Sequence, residues 1–280
     1  MLPTEIVELS QKEYELFRDL IYQQVGINLG DSKAQLVRSR LGKRLRDGKF
    51  RNYREYYDYV KRDASGRELE QLIDAISTNT THLFRENRHF EFLTETLRKW
   101  CEPGRQHRAQ IRIWSAACSS GEEPYSIAMT VDDVLRARKG VVAKIVATDI
   151  STRVLEKARA GVYTGQQLAN VPAEFQKRYF KKVTVDGEAK HSVCDELRRM
   201  ITFQRYNLMS DTLPIQGGVD VIFCRNVMIY FDRPTQEKLV NKLARALTPG
   251  GYLLIGHSES LNNISQPLTY VMPTTYQKPA

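Results

Sequence analysis

A chain of 280 residues with 41% hydrophobic and 27% charged residues is long enough for a catalytic domain with a smaller companion. No apolar run approaches the roughly 18 residues of a membrane span, and the opening MLPTEIVELSQKEYELF lacks the basic-then-apolar order of a secretion signal, so a cytoplasmic protein without membrane insertion is expected. The net charge of +9 suits an anionic partner, while four scattered cysteines (Cys101, Cys118, Cys194, Cys224) with no CxxC pair and no histidine at ligand spacing argue against a disulfide framework or zinc, and no metal is expected.

Residues 1–76 read as helices, with apolar residues at Leu16, Leu20 and Ile21, at Leu36, Val37, Leu41 and Leu45, and at Tyr56, Tyr57 and Val60. Residues 33–54 hold nine Lys or Arg against one acid, Asp47. On a helical wheel Arg40, Lys43 and Arg46 lie opposite the apolar stripe, which predicts that they face outward, as a solvated face or as a dock for an acidic surface. A linker is expected over 77–95. From Ile111 the pattern changes to IRIWSAA, YSIAMTVDDVL, AKIVATDI and TRVLEKARA, and later to VDVIFCRN, TQEKLVNKLARAL, TPGGYLLIGHSES and LTYVMPTTYQK. Strand and helix in alternation predict a doubly wound α/β domain over 96–280, with ligands at the carboxyl ends of its strands. Weak alternation around Asp186-Gly187 predicts a small antiparallel insertion over about 176–206.

The turn SAACSSGEEPY follows a strand and opens a helix, where α/β proteins cradle nucleotides, yet it carries Glu122 and Glu123 and no lysine. Carboxylates there repel a pyrophosphate and favour a ligand with positive charge, such as the sulfonium and ammonium of S-adenosylmethionine. The plainer alternative is that both acids complement a helix dipole beside Pro124. Asp149 ends the next strand, where it would accept from ribose hydroxyls or cap the following helix, a role Ser151 could equally fill. VDVIFCRNVMIYF places Arg225, Asn226 and Tyr230 over the same crevice, unless Arg225 is a surface cation and Tyr230 packs under a loop. The Asn/Asp-Pro-Pro-aromatic run of enzymes that methylate nucleic-acid amines is absent.

In this order STNTTHLFRE, WSAACSSGEEPYSIAM, VATDIS, IFCRNVMIYFD and TPGGYLLIGHSES closely resemble the chemotaxis receptor methyltransferases, over nearly the whole chain. The resemblance implies a small all-α domain before a Rossmann-like class I methyltransferase domain with a small antiparallel β insertion. It implies transfer of a methyl group from S-adenosylmethionine to glutamate carboxylates of chemoreceptors, with S-adenosylhomocysteine as product. The implied cofactor contacts are Asn79, Thr81, Arg85, Glu123, Asp149, Asn207, Leu208, Arg225 and Asn226, with Arg85 and Tyr230 flanking the methionine end and the methyl. It further implies docking of the receptors' cytoplasmic helices, for which Arg40, Lys43, Arg44 and Arg46 are the candidates, and in some members a receptor C-terminal peptide at the insertion. A glutamate of pKa about 4.3 is ionised near pH 7, so no general base is required, in keeping with the lack of a persuasive His/Asp pair. Two rivals are a nucleic-acid methyltransferase, opposed by few aromatics among the basic residues, and a non-catalytic cofactor sensor, which would not need Arg85 and Tyr230.

Overall fold

Ser10 opens the first helix, α1 (Gln11–Val25), by a capping box with Glu13, and Gly26 closes it in the left-handed region at φ 73°. Helices α2 (Ala34–Asp47), α3 (Tyr53–Arg62) and α4 (Arg67–Ile76) follow, α3 capped by the Asn52 side chain. Each turns an apolar stripe inward, so that Phe17, Ile21, Leu41, Tyr53, Tyr56 and Leu72 share one core. This computed structural model describes residues 8–102, 110–136, 138 and 140–280. The first seven residues of the expected helical region, and 103–109, 137 and 139 of the expected wound region, lie outside the described residues.

The expected linker is helix-free only up to residue 87. From Arg88 the chain is already α5 (Arg88–Trp100), whose Phe90, Leu93 and Leu97 are buried in the core of the wound region, so the apolar spacing of RHFEFLTETLRKW decides the matter. There follow β1 (Gln110–Ala116), α6 (Glu122–Leu135), β2 (Val142–Asp149), α7 (Thr152–Ala160), β3 (Val162–Tyr163), α8 (Ala173–Tyr179), β4 (Phe180–Val185), β5 (Glu188–Val193), α9 (Asp195–Met200), β6 (Ile201–Arg205), β7 (Val219–Cys224), α10 (Arg233–Ala246), β8 (Leu247–Ile255), β9 (Thr269–Met272) and β10 (Thr275–Gln277).

The main sheet has seven strands in the order β6-β2-β1-β7-β8-β10-β9. The first five run parallel, and β10 lies antiparallel to both of its neighbours. Strand order reverses between β1 and β7, and a crevice opens at their carboxyl ends. Burial on both faces explains why β7 is buried at every position.

The insertion is displaced from its expected bounds. Its three strands pair as β3-β5-β4 and thus begin at Val162, with Asp186 and Gly187 at positive φ in the hairpin turn between β4 and β5. Residues 201–205, expected within it, form β6 and pair with β2 in the main sheet.

The helical region is stitched to the loop after β7. Ile27 bridges Phe231, the Asn28 N–H donates to the Tyr230 carbonyl at 2.8 Å, and the Tyr22 hydroxyl donates to Asp232 at 2.8 Å. Among the described residues no helix is long and apolar enough to cross a membrane.

Candidate functional site

A cavity of about 390 Å³ fills the crevice at the strand-order reversal and extends under the helical region. Its floor is built from the turns after β1 and β2, its far wall from the loops after β6 and β7, and its roof from the segment 76–81, Ile27, Asn28, Lys33 and Leu36. Every expected cofactor residue lines it: Asn79, Thr81, Arg85, Glu123, Asp149, Asn207, Leu208, Arg225 and Asn226, together with Tyr230.

The turn after β1 is left-handed at Ala117 and Ser119, and Gly121 follows at φ 95°. A Cβ on Gly121 would come within 2.9 Å of Ala158, so glycine lets α6 start hard against α7. The two acids then part company. Glu123 faces the cavity, accepting from the Ser115 hydroxyl at 2.7 Å and from Arg225 at 3.1 Å. Glu122 turns away, buried beneath the Ser120 hydroxyl and the Gln167 amide. Burial pushes both carboxyl groups above their ordinary range. Only one carboxylate of the acidic turn therefore lines the cavity.

Asp149 is not the helix cap. The Ser151 hydroxyl caps α7 by accepting from the Val154 N–H, while the Asp149 carboxylate accepts from the Ser119 N–H at 2.8 Å and the Ser151 N–H at 2.9 Å. Burial raises its pKa, against the pull of those N–H groups. Each oxygen takes one of these N–H groups and has further acceptor capacity on the cavity side.

Arg225 is neither a surface cation nor a free one. Its side chain is 1% exposed, clamped between Glu123 and Glu86, bonded to the Arg85 carbonyl, and stacked over Phe90 at 5.7 Å. Nearly all its N–H groups are committed, so its work is to hold those two acids and the Arg85 backbone. Glu86, which sequence reasoning missed, also accepts from the Asn226 side chain and the His257 N–H. Burial alone would raise its pKa, but Arg225 and these donors outweigh it and hold the group at about 2. No sequence motif marks it: Glu86 and Phe84 are both left-handed, which turns the intervening Arg85 toward the cavity, where its guanidinium also donates to the Thr80 carbonyl.

Asn207 spends its side chain elsewhere, donating to the Gln24 carbonyl and accepting from the Met209 N–H. Lys242 fastens the same loop from beneath through the Leu208 and Ser210 carbonyls, and burial lowers its pKa to about 8. Glu86, His89 and His257 offer ligand atoms within 4.8 Å of one another, a spacing a metal ion could use, yet Arg225 already sits 3.0 Å from the Glu86 carboxylate as its cation.

Two of the four docking candidates do not face outward. Arg40 is half-buried and bonds the Ile76 and Ser77 carbonyls and the Thr78 hydroxyl, because the segment leaving α4 runs back along that flank of α2. Arg44 is paired with Glu68 of α4. Lys43 and Arg46 are exposed as expected, and none of the four lines the cavity.

Residues 12–77 match the model of the CheR methyltransferase all-alpha domain, and 79–277 match that of the CheR methyltransferase SAM binding domain. The chain is 40% identical to a chemotaxis protein methyltransferase of Borreliella burgdorferi, covering 97% of this chain and 96% of that one. It is 41% identical to chemotaxis protein methyltransferase 2 of Pseudomonas aeruginosa, covering 95% and 93%, and 38% identical to the chemotaxis protein methyltransferase of Escherichia coli, covering 98% and 93%.

Proposed function

This chain belongs to the CheR methyltransferase family, and from that premise we propose that its cavity binds S-adenosylmethionine and directs the methyl group onto glutamate carboxylates of chemoreceptors, leaving a methyl ester and S-adenosylhomocysteine. It is a methyltransferase of bacterial chemotaxis that uses S-adenosylmethionine and modifies chemoreceptors. The observation that carries the finer reading is convergence: residues drawn from five separate stretches between Asn79 and Tyr230 line one cavity at the strand-order reversal.

The donor set fits that ligand. Asp149 offers buried acceptors to a ribose diol, the loop of Asn207 and Leu208 offers backbone and an apolar side chain to adenine, and Glu123 offers charge to the ammonium end. Bound there, the cofactor supplies a methyl group activated by its positive sulfur. The chain's own task is alignment and exclusion of water. Arg85, steadied on the Thr80 carbonyl, engages the cofactor carboxylate and so orients the methionine end, and Tyr230 positions the groups around the methyl. The receptor glutamate, with a reference pKa of about 4.3, arrives ionised and needs no base. Charge disappears as the ester forms, so a free cation on the nucleophile would slow reaction; Arg225, locked between Glu86 and Glu123, is withheld from it.

Receptor helices approach the exposed cations Lys43 and Arg46 of α2, and the exposed strand β4 at the edge of the insertion receives a receptor C-terminal peptide. Incubation with methyl-labelled cofactor and receptor-bearing membranes, followed by mild base, tests the reaction. Volatile labelled methanol is the expected product; label that stays on nucleic acid, or on protein after base, overturns it.

A further inference from the structure

We propose that Glu259 is a positioning residue that sets the loop bearing Asn226 and Tyr230 by gathering that loop's backbone N–H groups onto one buried carboxylate. This rests on reading those two residues as neighbours of cofactor and methyl.

Strand β7 ends at Cys224, and the chain must then leave the sheet over the cavity. Asn226 is left-handed at φ 57°, and the short 3-10 turn Met228–Tyr230 that follows receives no side-chain cap from Val227. The N–H groups of 226, 228 and 229 thus leave the sheet ladder with no local acceptor, and a buried N–H without a partner is costly. Glu259, 9% exposed, supplies the acceptors from the loop after β8. One of its oxygens accepts from Asn226 at 3.0 Å and Gly256 at 2.6 Å; the other accepts from Met228 at 2.8 Å, with Ile229 at 3.4 Å. The Glu259 N–H returns to the Gly256 carbonyl at 2.9 Å, which fixes the carboxylate to the end of β8. The two loops are in hard contact, since a Cβ on Gly256 would fall 2.5 Å from the Asn226 amide. One anion thereby clamps two strand ends, and Tyr230, whose own N–H donates to Val227, takes its place from that clamp.

Both oxygens must be acceptors. Glutamine has the same size but presents an NH2 to one of the two N–H pairs, so one half of the clamp becomes donor facing donor. A displacement of about 1 Å at a methyl-transfer site can cost on the order of 100-fold in rate, whereas receptor docking surfaces lie elsewhere.

The test uses the full-length Glu259→Gln variant. Amide exchange at residues 226–229 should accelerate by roughly tenfold or more while β7 and β8 keep their protection, a local effect that general destabilisation would not give. Turnover on receptor should fall about ten- to 100-fold with the receptor KM held within about threefold. Unchanged exchange at 226–229, or turnover within about twofold of the parent while Tyr230→Phe loses turnover, overturns the proposal. Tyr230→Phe is run alongside: faster exchange in Glu259→Gln with full turnover in both variants overturns the reading of Tyr230 rather than the clamp. Glu259→Asp, which keeps both oxygens but withdraws them, reads the same quantities should the glutamine variant not fold.

Discussion

Asp149 and Ser151 stand two residues apart, and their side chains divide what either alone could have done: the serine caps α7 while the aspartate ties the turns after β1 and β2 together and faces the cavity. Asp149→Ala should therefore weaken cofactor binding ten- to 150-fold, about 1.5–3 kcal/mol for bonds to a charged acceptor, as read by calorimetry. Ser151→Ala should cost about 1 kcal/mol of stability and leave affinity alone. Arg85→Ala should lose both affinity and turnover, and Tyr230→Phe mainly turnover; equal, purely affinity-based losses would contradict the placement of Tyr230 at the methyl. His89 gives a pH signature. It is buried, with Nε2 at 2.7 Å from the Thr274 hydroxyl, and burial, aided by Arg225, lowers its pKa from 6.5 to about 3. Between those values the unfolded chain binds a proton that the folded one refuses, so stability is lost as pH falls below about 6.5, by roughly 2 kcal/mol at pH 5. His89→Gln should flatten the fall in melting temperature between pH 6.5 and 5; an unchanged slope would assign the acid sensitivity elsewhere. Asp149 was legible in the sequence because strand ends announce themselves by position. Glu86 and Glu259 were not, because each gains its meaning from partners more than thirty residues distant or from backbone N–H groups that no sequence motif displays.

At the scale of elements, α2 shows what a helical wheel can and cannot say. The wheel places Val37, Leu41 and Leu45 inward, and all three are buried. It places Arg40 outward because angle is all it knows, and the returning segment 76–78 covers that flank. The same ignorance of neighbours left Arg44 among the docking candidates, although Glu68 claims it. The docking prediction accordingly narrows to Lys43 and Arg46. Reversing both to Glu should raise the apparent KM for receptor and flatten its dependence on salt, because contacts between exposed charges are screened over about 8–10 Å, while cofactor affinity stays put. A double variant that matches the parent at low ionic strength would leave those cations as a solvated face. The bounds of the insertion slipped for a related reason: ITFQR alternates no more clearly than the hairpin before it, and only pairing with β2 assigns it to the main sheet.

For the whole molecule, the alternation of strands and helices was enough to specify a doubly wound sheet, since parallel strands demand crossovers and crossovers demand helices. What periodicity could not disclose is that the helical region closes the cavity, with Ile27, Asn28, Lys33 and Leu36 in its wall and three contacts to the loop of Tyr230. A ligand touching both regions stabilises both. At a hundredfold excess over its dissociation constant the cofactor should add about 2.7 kcal/mol and raise one cooperative melting transition, whereas a helical region that melts at its ligand-free temperature would deny the shared cavity.

Helix α2 has Leu36, next to the capping position Lys33, at its cavity end and the exposed Lys43 and Arg46 further along. A receptor docked on the second pair is coupled to a cofactor at the first only through a difference in how it binds the two cofactor states, and that difference is reciprocal. Whatever factor separates the receptor's affinity for the methyl-charged enzyme from its affinity for the spent one must reappear, unaltered, as the factor by which receptor discriminates between retention of fresh cofactor and of used cofactor. Where that factor favours the methyl-charged form, turnover itself loosens the enzyme from its substrate, and exchange within the cavity times its traffic among receptors.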